Sequence, residues 1–165
     1  MNEISKVGFQ YLVEVVRSGT VISSEVVDNL IPTQGMNHIL DVVLRGAPQN
    51  ASWYIGIYEG TYTPDALATA AALPSAATEC VAYQQSGRQA FTAPAASGGQ
   101  TSNTASRAEF TMTENKTVRG GFIVSAQPKG SVSGTLLSVV RFASPKVLES
   151  GDTLRVTAGI SLQSN

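Results

Sequence analysis

Cysteine occurs once and histidine once in the 165 residues. A single thiol excludes an intrachain disulfide. A single imidazole excludes a multi-histidine metal site and leaves little scope for a histidine-based triad. Charge is sparse as well. Only 14% of residues are charged, 11 Lys+Arg stand against 12 Asp+Glu, and the formal net charge is -1. Binding to nucleic acid needs a concentrated cationic face, and electrostatic docking on a membrane needs a polybasic one; this balance fits neither. No apolar run approaches the about 18 residues of a membrane span, and the first nine residues, with Glu3 and Lys6, contain no apolar signal core. The expectation is a soluble protein made in a cytoplasm. The tripeptides beginning at Asn50 and Asn115 match the N-glycosylation pattern, which then reads as chance.

What is present is strand chemistry. With 42% hydrophobic residues the chain can bury a core. Residues 9–17 (FQYLVEVVR) and 21–27 (VISSEVV) flank Ser18-Gly19-Thr20 and predict a hairpin. Further strands are expected at 52–59, 78–83, 88–92, 107–112, 118–126, 134–142 and 153–161, separated by Gly, Pro, Ser and Asn turns. One helix is predicted, at 36–45. Met36, Ile39, Leu40, Val43 and Leu44 fall on one helical face, and Gly46 is placed to end it. The alanine-rich stretch 65–73 reads as a surface excursion with one turn of helix. Residues 93–106, which lack any large apolar side chain, read as a flexible loop outside the core. The reading is all-β: a single-domain antiparallel β-sandwich or flattened barrel over 9–165, preceded by an N-terminal arm at 1–8.

No intact chemical motif emerges. Cys80, His38 and Asp41 are the residue types of a thiol triad, but nothing in the sequence brings Cys80 to the other two, and its strand context suits a buried packing residue. Gly130-Ser131-Val132-Ser133-Gly134 imitates a nucleophile elbow but carries Val where the serine belongs. Gly120-Gly121 lacks the Lys and Ser/Thr of a phosphate loop and suits close strand packing instead. The carboxylates are dispersed. The reading is a non-catalytic protein without metal or cofactor. Candidate contact residues are the tyrosines Tyr54, Tyr58 and Tyr62, which could form an aromatic binding platform, and Ile4 and Val7, which could anchor the arm on a neighbour.

The order of segments carries a resemblance. DNLIPTQGMNHILDVVLRG (28–46) leads to WYIGIYEG (53–60), then a long small-residue loop, FTMTENKTVRGGFIVS (110–125) and GTLLSVVRFASPKVLESGDTLRVT (134–157). From Asp28 to Thr157 this resembles a family of virion structural proteins of tailed bacteriophages, and within it the capsid decoration, or cement, proteins. The resemblance implies a virion location on the capsid surface. Its implied partners are the major capsid protein and further copies of the chain, as a trimer at the shell's three-fold sites, with no nucleic acid and no membrane. A tail- or fibre-associated protein, including a carbohydrate-binding module, is the alternative reading.

Overall fold

The computed structural model describes residues 8–162. The expected arm, with Ile4 and Val7, lies outside the described residues except for Gly8, which opens the first strand. Strands β1 (Gly8–Arg17) and β2 (Thr20–Asp28) form the predicted hairpin. Its turn places Ser18 and Gly19 at positive φ, the backbone twist that a tight hairpin requires. Helix α1 (Thr33–Arg45) follows, then β3 (Tyr54–Tyr58) and a single helical turn α2 (Leu73–Ala76). The remaining elements are β4 (Gln89–Ala90), β5 (Gln100–Ser102), β6 (Ala108–Thr111), β7 (Lys116–Val124), β8 (Leu136–Leu148) and β9 (Thr153–Ser161).

Two antiparallel sheets result. One has the order β2-β1-β9-β5, with β6 also paired to β9; the other has the order β4-β3-β7-β8. Alternation in β1 turns Phe9, Tyr11, Val13 and Val15 inward, against Ile55 and Ile57 of β3 and Val140 of β8. This is the all-β sandwich that the spacing of strands predicts. The edge strand β2 points Glu25 into the sandwich, where it meets Lys146 of β8 at 3.1 Å. An inward charge on an edge strand opposes pairing with stray strands, because its partner exists only in the native fold.

The second sheet is covered on both sides. Tyr58, Phe122, Val124, Leu136 and Val139 form a smaller core on its outer face, closed by Ala68, Ala70, Leu73 and Ala77. The alanine-rich stretch is therefore a cover rather than a surface excursion. Its small side chains let the backbone lie close to the sheet. The two glycine signals in the strands have the same origin. Gly56 pairs with Phe122 and Gly120 with Tyr58, and in each case a Cβ would fall within the partner's ring.

Three local expectations fail. Residues 78–83 make isolated bridges, Tyr58 to Glu79 and Tyr83 to Met112, not a strand. β8 runs through Pro145 to Leu148, which its edge position allows because no neighbour needs the missing N–H. The stretch 93–106 contains β5 and a 3-10 turn, Thr104–Ser106. Between them Asn103 is fully buried, with its Oδ1 accepting from Ala158 N at 2.7 Å.

Candidate interaction surface

Two places concentrate unusual side chains, and they are opposites. The first is a buried ion pair. Arg88 and Glu79 are joined by two hydrogen bonds, Nε to Oε1 at 2.8 Å and Nη2 to Oε2 at 2.7 Å. Their side chains are 1% and 2% exposed. The guanidinium also donates to the carbonyls of Ala126 and Ser131, and Gly130 N donates to Glu79 Oε2. Phe122 lies under the guanidinium, 5.1 Å from ring centroid to Cζ. This cluster joins three loop segments and has its polar groups engaged. It ties these segments together. Nearby, Lys129 sits over the Tyr83 ring at 3.8 Å and donates to the carbonyls of Val81 and Tyr83.

The second is α1. Its inner side is fixed tightly to β8. A Cβ on Gly35 would lie 2.7 Å from the carbonyl oxygen of Leu137, so only glycine allows this approach. Gln34 Oε1 accepts from Leu136 N at 2.8 Å and from Ala70 N at 2.9 Å, tying the helix to both the sheet and its cover. Ile39 packs against the main core, and the His38 ring meets Trp53 edge-on at 5.5 Å. The helix ends at Gly46 in the left-handed conformation, as the sequence predicts, with Arg45 in its last turn. With Gly35 and Gln34 turned inward, the rest of the apolar stripe is turned out. Met36 is 44%, Leu40 53%, Val43 71% and Leu44 74% exposed. Beside them a cleft of about 300 Å³ runs between α1 and the end of β9, lined by Phe9, Ile39, Val42, Trp53, Ile160 and Leu162 among others.

The three residues of triad type have separate surroundings, as expected from the sequence. His38 faces Trp53 and Asn50, and Asp41 pairs with Arg45 on the exposed helix. Cys80 is fully buried, its backbone N bonded to Ile57 O, and burial pushes its thiol up to about 11. Such a thiol is a packing group and a poor nucleophile.

The tyrosines do not form an exposed platform. Tyr58 is fully buried under the alanine-rich cover, with its hydroxyl donating to Val140 O at 2.9 Å. Burial raises its pKa. Tyr62 is half-buried and packs edge-on against Tyr58 at 6.0 Å, while Tyr54 is half-buried in β3. Strand alternation places Tyr54 and Tyr58 on one face, but that face is the covered one.

Residue spacing identifies the apolar stripe of α1 but not which part of it is buried. The available signal is Gly35, one residue before the predicted start and in the first turn of α1, where a glycine costs stability unless a close approach needs it. The Arg88–Glu79 pair leaves no pattern in the sequence, because both residues lie in loops.

The model of one protein family, podophage GP4 fiber I protein gp80, matches residues 31–163. The chain belongs to this family. It is a structural protein of a tailed-phage virion. The match takes in α1, both core faces of the second sheet and everything after them; β1 and β2 precede it. No curated protein matches the chain.

Proposed function

We propose that the chain is a tail-fibre or tail-associated subunit of a podophage virion, working as a non-catalytic homo-oligomer that binds neighbouring virion proteins. The observation that carries this reading is the match over residues 31–163 to a family whose description is a fibre protein. The described residues support it in a second way. The buried Arg88–Glu79 cluster is internally satisfied, whereas large apolar side chains stand in solvent on a rigidly held helix. That arrangement suits protein contact rather than chemistry on a small molecule.

The experiment is localisation. Particles carrying a gold-labelled or fused copy of the chain are imaged by electron microscopy. Label confined to the tail is expected. Label repeated over the shell lattice would overturn the tail assignment in favour of the capsid decoration protein that the sequence resembles. Absence of the chain from purified particles would overturn both.

A further inference from the structure

We propose that the outward face of α1 is the surface on which copies of this chain associate with one another. The inference rests on the reading above of a self-associating virion subunit and adds which face does it. Three observations carry it. The first is area. Met36, Leu40, Val43, Leu44 and Leu162 are between 44% and 74% exposed, and Val43 and Leu162 line one cleft together. A patch of this kind is on the order of the largest a monomer shows, 300–600 Å². Two such patches facing each other supply the apolar centre of a standard interface, which begins near 1,000–1,200 Å² in total.

The second observation is spacing. Met36, Leu40 and Val43 recur at intervals of four and three, the seam that lets one helix lie along another. A helix fits such a seam, and a second α1 presents one. The third is charge. Asp41 and Arg45 are the charged residues of α1, and they pair with each other at 3.3 Å. Two copies of the face meet without like-charge repulsion, and each offers one charge of either sign at the rim. The cleft beside the helix accepts a side chain of the facing copy, with Trp53 and Phe9 among its walls. The helix is held rigidly from behind by Gly35 and Gln34, so little ordering opposes the contact.

The test is the mass of the full chain in solution by sedimentation velocity, over about 1–100 μM, the range in which micromolar contacts form. The wild type is expected to run as an oligomer. The double variant Leu40→Glu, Leu44→Glu is expected to run as a monomer, with association weakened on the order of 100-fold or more, as for loss of central interface residues. Its circular dichroism and melting temperature should match those of the dilute wild type. Where the double variant fails to fold, Leu44→Lys alone is measured instead. A folded Leu44→Lys that associates like the wild type overturns the inference. So does a double variant that stays oligomeric, since association then uses another face. A wild type that is monomeric throughout also overturns it. None of these results moves the label in the localisation experiment, so failure of the face and failure of the fibre reading are separable.

Discussion

The loop region around Arg88 and the helix α1 invert the usual rule in opposite directions. One places two full charges inside, and the other places large apolar side chains outside. The difference lies in whether partners are present. Arg88 has Glu79, two carbonyls and an aromatic ring within its own chain, so its burial is complete. Leu40, Val43 and Leu44 have solvent on their outer side. A buried polar cluster is stable only when finished, because an unpaired group in a low-dielectric interior costs more than the pair returns. An exposed apolar face survives unfinished at little cost to the monomer. Completion within the chain marks structure; on α1 it is what the proposed contact between copies would supply.

The largest effect is expected where that completed cluster is broken. Arg88→Met leaves Glu79 buried with Gly130 N as its remaining donor, and Glu79→Leu leaves a buried guanidinium. Each should cost about 3–5 kcal/mol, the range for removing one partner of a buried pair. The double variant Arg88→Met, Glu79→Leu should cost much less than the two single losses added together, because no isolated charge remains. Urea denaturation of the four proteins measures this. Additive losses would mean that the two side chains act separately and that the cluster is not a unit.

A smaller effect tests a polar residue that sequence reasoning left outside the core. Asn103 joins β5 to β9, accepting from Ala158 N at 2.7 Å and donating to Val156 O at 3.4 Å. Asn103→Ala leaves a buried backbone N–H without its acceptor, and about 1–3 kcal/mol should be lost. Ala95→Ser, at an exposed position of the same stretch, should be neutral. Equal stability of both variants would show that the segment is as loosely held as its composition suggests.

These two sites show why the sequence is legible in parts. The sandwich could be read because strands buried on one side alternate, as Tyr11, Val13 and Val15 do, and because Gly and Pro mark the turns. The helix could be read from its stripe and from Gly46. The cover at 65–77 could not, since alanine is compatible with both exposure and close packing. The strand expected at 78–83 fails because Cys80 and Tyr83 are buried from a loop backbone whose bonds scatter: Cys80 N donates to Ile57 O of β3, Tyr83 N to Val81 O within the loop, and Ala82 O accepts from Thr113 N. Asn103 was obscured by its small polar neighbours. Apolar spacing reports periodicity; it does not report which neighbour arrives from distant parts of the chain. The tyrosine platform failed for that reason, because the segment that buries Tyr58 begins only after Gly60.

Acid should act at the start of β9. Asp152, before β9, accepts from Arg17 Nε at 2.9 Å and Nη2 at 2.7 Å, and from Glu149 N at 2.8 Å. The bond from Arg17 is the main cause of a carboxyl held below the usual aspartate range, with the Glu149 N–H adding to it. A carboxyl lowered on folding stabilises the native state above its unfolded pKa, about 3.9. That contribution is lost as pH falls through the lower folded value. Between pH 6 and pH 2 the urea midpoint of the wild type should fall more steeply than that of Asp152→Asn. Parallel slopes would assign the acid sensitivity to other carboxylates.

The smallest folding effect, and the sharpest contrast with Arg88, is expected on α1 itself. Leu44 is 74% exposed, so Leu44→Gln removes little buried surface from the monomer, and leucine and glutamine have similar helix propensities. Measured at high dilution, the change in unfolding free energy should fall within about 0.5 kcal/mol, as for most surface substitutions. Concentration then separates the two states of the face. A contact between copies binds only folded chains, so the wild-type melting temperature should rise with protein concentration by mass action. The Leu44→Gln protein should show a weaker rise, because the patch that drives association has lost one of its most exposed side chains. A loss of more than about 1.5 kcal/mol at high dilution would place Leu44 under cover in the single chain. That result would make α1 as complete as the Arg88 cluster and remove the contrast between the two regions.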